Sequence, residues 1–98
     1  MKRQKICVVG MGYVGLTLSG VLLESGFNVH GLEINQKIID KIRKGESHFF
    51  EPGLDEILKK ALKSDNLKVS YSSEKIDFSS CDIFIITVGT PVDLNTKI

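Results

Sequence analysis

The sequence has few of the residues that mark several large classes of protein. It contains two cysteines among 98 residues, and neither belongs to a Cys-x-x-Cys pair. That number is too small for a disulfide framework or a cysteine-based metal cluster, so we expect no metal site and no redox centre. No apolar run approaches membrane-spanning length, and glycines interrupt the apolar stretch near the N-terminus, where no cleavage site follows. The expected location is the cytoplasm.

The charges of the chain are almost balanced, with 13 basic and 12 acidic residues and a net charge of +1. A surface that binds nucleic acid or lipid is expected to be strongly basic, whereas the lysines here are interspersed with acids. We therefore expect neither a nucleic acid nor a membrane among the partners. With 98 residues, of which 42% are hydrophobic, the chain suffices for one globular unit or a part of one.

An apolar run at residues 6–9 leads directly into three glycines, Gly10, Gly12 and Gly15, with the spacing Gly-x-Gly-x-x-Gly. This pattern predicts a strand, a tight turn and the start of a helix. In dinucleotide-binding proteins the first glycine permits the turn, the second lets the backbone approach a pyrophosphate, and the third lets the helix pack closely on the strand. The motif alone is weak evidence, so its interpretation depends on the rest of the chain.

Helical and strand patterns alternate along the sequence. Strands are predicted at residues 4–10, 28–33, 67–71 and 81–88, and helices at residues 12–25, at residues 36–44 and from Leu54 onward. The first and fourth strands are continuously apolar, as in central parallel strands, whereas the third alternates and suits an edge. This pattern predicts an α/β fold, part of a Rossmann-like doubly wound parallel sheet with strand order 3-2-1-4.

The second strand ends at an acidic residue, Glu33, which lies 18 residues beyond Gly15. In dinucleotide sites a carboxylate at this position accepts hydrogen bonds from the adenosine ribose, and it repels the additional phosphate of NADP. The spacing therefore predicts NAD as the cofactor. The alternative is a solvated carboxylate at a strand end.

Three motifs together resemble the N-terminal domain of the UDP-glucose/GDP-mannose dehydrogenase family. They are Gly12-Tyr13-Val14-Gly15-Leu16, Glu51-Pro52-Gly53-Leu54 and Val88-Gly89-Thr90-Pro91-Val92. The resemblance implies that residues 1–98 form the N-terminal part of the NAD-binding domain, a fragment without its substrate domain. It also implies a cytoplasmic enzyme that oxidises the C6 hydroxyl of a UDP-sugar to a carboxylate with two NAD. We further expect a homo-oligomer.

The resemblance also assigns the site residues. Gly10, Gly12 and Gly15, with the backbone of Tyr13 and Val14, would hold the pyrophosphate; Glu33 would bind the ribose, and Thr90 would line the nicotinamide side. Many family members have aspartate where Glu33 stands, but the longer side chain should still reach the hydroxyls. For Thr90 the alternative is a hydroxyl that only caps the exit of the chain. Residues 34–36 and 45–48 are similar to members that act on UDP-N-acetylhexosamines.

No catalytic residue is expected within this chain. The family nucleophile is a cysteine, but Cys7 lies inside a central strand and Cys81 lies at the opposite end of its strand from the cofactor. If the two strands end at similar height, the cysteines are offset by about five residues, or roughly 16 Å, which excludes a disulfide. The isolated chain is therefore expected to be inactive. We expect His30 to be packed or edge-exposed and His48 to be solvated.

Two other functions fit the glycine motif. One is another dehydrogenase with a similar sheet, of the 6-phosphogluconate or 3-hydroxyacyl-CoA type. The Glu51-Pro52 and Thr90-Pro91 motifs would then resemble those of the UDP-glucose/GDP-mannose dehydrogenase family only by chance. The other is a non-catalytic NAD-sensing module. In a fragment, the apolar fourth strand would lack its expected neighbour, and we expect the chain to self-associate through that edge.

Overall fold

A computed structural model describes residues 3–72 and 79–87. Its strands and helices alternate as the sequence predicts, with two consecutive helices between the second and third strands. The elements in chain order are β1 (Lys5–Val9), α1 (Tyr13–Glu24), β2 (Asn28–Glu33), α2 (Gln36–Arg43), α3 (Leu54–Lys63), β3 (Leu67–Tyr71) and β4 (Ile83–Ile86).

The four strands form one parallel sheet in the order β3-β2-β1-β4, which confirms the predicted topology. Val9 pairs with Leu32 on one side and with Ile86 on the other. Glu33, the last residue of β2, pairs with Tyr71 of β3. Because all four strands run in the same direction, their carboxyl ends meet at one edge of the sheet, and the glycine turn after β1 lies in the middle of that edge.

Local sequence signals account for the helix boundaries. The side chain of Asn35 caps α2 by accepting the backbone N–H of Lys37 at 3.0 Å. Gly26 and Gly45, which follow α1 and α2, both adopt positive φ angles, as in many helix C-terminal caps. The start of α3 carries Asp55 and Glu56 in its first turn, where acidic side chains complement the helix dipole.

The core lies between the sheet and the apolar faces of the helices. Ile39 and Ile42 of α2 and Leu58 of α3 are completely buried, as the helical spacing of their apolar residues predicts. Helix α1 packs against both the sheet and α3. In the described part of the chain, no helix combines the length and apolar character needed to cross a membrane.

Strand β4 differs from the prediction of a central strand over residues 81–88. It runs from Ile83 to Ile86, and no further strand pairs with its outer edge among the described residues. Phe84 is 50% exposed and Ile86 is 71% exposed. The apolar sequence of β4 therefore has more contact with solvent than a covered parallel strand would have.

The prediction that Cys7 and Cys81 lie too far apart for a disulfide is wrong. The structure joins their sulfur atoms in a disulfide, with the Cα atoms 6.2 Å apart. Cys7 pairs with Phe84, so Cys81 precedes the partner of Cys7 by three residues rather than five. Cys81 also lies before the start of β4, where Asp82 is held to Lys5 by two hydrogen bonds of 2.8 and 2.9 Å. Two expectations caused the error: the register of β4 against β1, and the inclusion of Cys81 in an extended strand.

Candidate functional site

The glycine turn between β1 and α1 is the centre of the candidate site. Gly10 has a φ angle of 94°, a conformation that side-chain-bearing residues rarely adopt, so glycine is required for the turn. Its backbone N–H donates to the Leu32 carbonyl at 2.7 Å, which holds the turn against the end of β2. The chain can therefore leave β1 sharply and enter α1 within three residues.

The other two glycines of the motif differ in how closely other atoms pack around them. A Cβ atom at Gly15 would overlap the Gly10 carbonyl oxygen and lie 2.6 Å from Oγ1 of Thr87, so only glycine lets α1 approach β1 this closely. A Cβ atom at Gly12 would meet no atom of the described residues within 4 Å. The space in front of Gly12 is thus open, and a ligand can approach the backbone there. This is the environment that a pyrophosphate requires at the second glycine of a dinucleotide motif.

The first turn of α1 provides backbone donors beside that open space, and residues 3–72 and 79–87 supply no partner for them. The first four N–H groups of any helix have no partner within the helix. The Gly12 cap of α1 has no side chain to satisfy them, and the first turn contains no acidic residue. The N-terminus of α1 therefore carries a partial positive charge that no carboxylate of its own first turn offsets.

Glu33 lies at the end of β2 and turns its carboxylate toward the glycine turn. Its Oε1 accepts the backbone N–H of Met11 at 2.8 Å, and its Oε2 accepts the N–H groups of Ile34 and Asn35 at 3.0 and 2.9 Å. The residue is 9% exposed. Glu33 is thus not the fully solvated carboxylate of the alternative interpretation, because it connects the glycine turn to the start of α2.

Thr87 fixes the opposite side of the turn. Its hydroxyl Oγ1 donates to the Gly10 carbonyl at 2.7 Å, and its backbone N–H donates to the Val9 carbonyl at 2.8 Å. These bonds connect the ends of β1 and β4 where the chain enters the glycine turn. Thr87 belongs to none of the motifs in the sequence, although a threonine directly after an apolar strand can provide such a hydroxyl at the sheet edge.

The connection between α2 and α3 passes beside the glycine turn, and we call residues 46–53 the α2–α3 loop. The ring of Phe49 packs on the ring of Tyr13 with centroids 4.8 Å apart, and the hydroxyl of Tyr13 donates to Glu51 at 3.3 Å. His48 contacts the edge of Phe49 and forms a 3.0 Å hydrogen bond between its Nε2 and the Met11 carbonyl. His48 is half-buried, so the expectation of a solvated histidine is wrong.

Asp55 at the start of α3 holds the other end of this loop. Its carboxylate accepts the backbone N–H of Ser47 at 2.9 Å. The hydrogen bond from the Ser47 backbone lowers the pKa of Asp55 below its ordinary value. The Ser47 side chain and the positive charges of Lys59 and Lys41 lower this pKa further. The ionised carboxylate is therefore the form that holds the loop.

Most of the residues predicted for cofactor binding are close together in the structure. Gly10, Gly12, Tyr13, Val14 and Gly15 form the turn and the first turn of α1, and Glu33 adjoins them through Met11. Thr90 lies outside the described residues. His30 is packed, 7% exposed, and its Nε2 forms a 2.8 Å hydrogen bond with the Ser70 hydroxyl, in agreement with the expectation of a packed side chain.

Comparison with known proteins identifies the family of the chain. The model of the "UDP-glucose/GDP-mannose dehydrogenase family, NAD binding domain" matches residues 4–98. A UDP-N-acetyl-D-mannosamine dehydrogenase of Methanococcus vannielii is 42% identical over 90 residues, 92% of this chain and 20% of that protein. The UDP-glucose 6-dehydrogenase YwqF of Bacillus subtilis is 43% identical over 86 residues, 88% of this chain and 19% of that protein.

A solved structure shares the fold as well as the sequence. The ternary complex of GDP-mannose dehydrogenase from Pseudomonas aeruginosa superimposes with a TM-score of 0.81 at 33% identity, over 92% of this chain and 20% of that chain. The chain thus spans about a fifth of the length of the relatives that it matches. It belongs to the UDP-glucose/GDP-mannose dehydrogenase family, and it matches the NAD-binding domain of that family.

Proposed function

We propose that the chain binds NAD at the carboxyl edge of its sheet and provides the oxidant site of a nucleotide-sugar 6-dehydrogenase. The observation that carries the proposal is the open backbone at Gly12, next to the free N–H groups of α1 and to the buried carboxylate of Glu33. A pyrophosphate anion and a ribose hydroxyl would find complementary partners there.

The pyrophosphate would bind to the backbone N–H groups of Gly12, Tyr13 and Val14. Each of these groups is at the positive end of α1, and no carboxylate in the first turn of that helix would repel the phosphate oxygens. Gly10 and Gly15 would act indirectly, because they form the turn and allow the close packing of α1 against β1.

The adenosine ribose would bind to Glu33. Each carboxylate oxygen can accept two hydrogen bonds, and Oε2 already accepts two from Ile34 and Asn35. Oε1 accepts one from Met11, and the described residues supply no second donor to it, which leaves one acceptor position for a ribose hydroxyl. A carboxylate fixed at this position would repel a 2′-phosphate, and this repulsion favours NAD over NADP.

Bound NAD would accept a hydride from the C6 carbon of the sugar. Thr90, in the motif Thr90-Pro91 after β4, is the residue that we assign to the nicotinamide side, by its match to the family motif. We assign no catalytic residue to this chain. The catalytic nucleophile and the substrate domain would lie in other parts of a longer protein. Residues 1–98 would be the N-terminal part of the NAD-binding domain of that protein.

The substrate that we propose for the whole protein is a UDP-sugar, in the UDP-N-acetylhexosamine branch. The similarity to a UDP-N-acetyl-D-mannosamine dehydrogenase of M. vannielii and the family resemblance of residues 34–36 and 45–48 support this choice. We further propose a cytoplasmic homo-oligomer.

Calorimetric titration of the 98-residue chain with NAD and NADP tests the proposed cofactor. We expect NAD to bind and NADP to bind about five- to thirtyfold more weakly, because one unfavourable charge contact near Glu33 costs on the order of 1–2 kcal/mol. A preference for NADP, or no binding of NAD, would contradict the proposal.

A further inference from the structure

We propose that His48 is a positioning residue for the pyrophosphate of the dinucleotide, a role that rests on the proposed function. His48 comes from the α2–α3 loop, 37 residues from Met11 in sequence, and forms a 3.0 Å hydrogen bond with the Met11 carbonyl. A carbonyl oxygen can only accept, so the Nε2 atom of His48 must carry the proton and donate. His48 would therefore act on the ligand through the backbone of the glycine turn.

Contacts of both its backbone and its side chain fix the position of Met11. Its N–H donates to Glu33 at 2.8 Å, and its carbonyl accepts from His48. Its side chain is completely buried and lies against Gly31, where a Cβ atom would come within 2.7 Å of the Met11 sulfur. The hydroxyl of Ser19 lies 3.5 Å from that sulfur. Met11 is thus the fixed point from which the rest of the glycine turn is oriented.

His48 is itself held in place by its neighbours. The loop is attached at one end by the bond from the Ser47 N–H to Asp55, and the ring of Phe49 contacts His48 edge-on with centroids 4.7 Å apart. Phe49 also packs on Tyr13, the first residue of α1. These contacts give the imidazole a defined position relative to the turn, so that it can orient Met11.

The Met11 carbonyl and the Gly12 N–H belong to the same planar peptide group. Because that group is trans, fixing the direction of the carbonyl also fixes the direction of the N–H on the opposite side. His48 would therefore orient the Gly12 N–H before the ligand arrives. A donor that is already oriented loses less conformational entropy on binding, which increases affinity.

Substitutions at His48 in the 98-residue chain test this role. His48→Phe retains an aromatic ring beside Phe49 but cannot donate, and His48→Gln retains a donor of similar reach. We measure the binding of NAD and ADP-ribose, which contain the pyrophosphate, and of adenosine, which does not. Loss of one oriented donor should weaken NAD and ADP-ribose by about tenfold in His48→Phe. Binding of adenosine should not change, and His48→Gln should restore most of the lost affinity.

The binding results distinguish a failure of the role of His48 from a failure of NAD binding itself. If wild-type chain binds no NAD, the proposed function fails, and the role of His48 fails with it. If wild-type chain binds NAD and His48→Phe binds it equally well, only the role of His48 is overturned. If adenosine lost affinity by the same factor, the substitution would have damaged the fold in general. That result would also overturn the role of His48. Should His48→Phe not fold, His48→Leu gives the same comparison.

Discussion

The backbone N–H of Met11 donates to the Glu33 carboxylate at 2.8 Å, and this bond joins the glycine turn after β1 to the end of β2. Two further backbone donors, at Ile34 and Asn35, converge on the same carboxylate. Glu33 therefore stabilises the fold as well as providing an acceptor at the candidate site. Its two roles can be measured separately.

Replacement of Glu33 by alanine should destabilise the chain in the absence of any ligand. The substitution leaves the buried N–H of Met11 without its acceptor, which costs roughly 1–3 kcal/mol, and weakens the capping of two more donors. We expect the free energy of unfolding, from urea denaturation, to fall by about 2–3 kcal/mol. Glu46→Ala, at an exposed position of the same residue type, is the control and should change it by less than about 0.5 kcal/mol. Equal stability of Glu33→Ala and wild type would show that these bonds contribute nothing.

The three glycines of the motif should respond differently to substitution. Gly15→Ala places a methyl group against the Gly10 carbonyl and 2.6 Å from Thr87, so α1 must move away from β1. We expect a loss of stability of about 3 kcal/mol or more. Gly12→Ala is the matched control, because Gly12 has a φ angle of −71° and the added methyl group meets no atom within 4 Å in the described part of the chain. It should change stability by less than about 1 kcal/mol. A stable Gly15→Ala variant in urea denaturation would contradict the packing described for α1.

The disulfide between Cys7 and Cys81 closes a loop with a sequence separation of 74 residues. Loop closure of this length is worth about 4 kcal/mol in the chain-entropy model. We expect a reducing agent to lower the stability of the wild-type chain to that of Cys81→Ser, and to leave Cys81→Ser unchanged. Alkylation of two thiols in the unreduced, denatured wild-type chain, followed by mass spectrometry, would show instead that the bond does not form.

The exposed edge of β4 is the surface for which we predict self-association. Ile86 is 71% exposed on a strand that pairs only with β1 among the described residues. A lysine on such an edge discourages pairing between chains. Sedimentation velocity should therefore show concentration-dependent association of the wild type that Ile86→Lys abolishes. Ile34→Lys, at a side chain with the same 71% exposure directly after the inner strand β2, is the control and should still associate. A wild type that stays monomeric at all concentrations would contradict the prediction.

Much of this architecture could be predicted from periodicity and spacing. The apolar run before Gly10 and the alternation in β3 were sufficient for the strand order, since parallel strands leave few compatible topologies. The spacing between Gly15 and Glu33 likewise predicts that the two meet at one edge of the sheet. Such signals are local or depend only on the order of the elements.

The remainder depends on register and on contacts between distant residues. Cys81 lies closer to Cys7 than expected because the pairing of β4 with β1 is shifted by two residues and because Cys81 precedes the strand. His48 could not be placed on the Met11 carbonyl, because the path of the α2–α3 loop is set by Phe49, Tyr13 and Asp55 together. The roles of Met11 and Thr87 also follow from their backbone surroundings, which no sequence motif describes.

The central claim is that the open backbone at Gly12 binds the pyrophosphate of NAD. Calorimetric titration of wild type and Gly12→Ala with NAD tests it most directly, because the alanine methyl group would fill the space in front of the backbone while leaving the fold intact. We expect measurable binding of NAD to the wild type. Gly12→Ala should bind NAD at least about tenfold more weakly, a loss of binding free energy of about 1.4 kcal/mol or more. Equal affinity of a folded Gly12→Ala variant for NAD would contradict it.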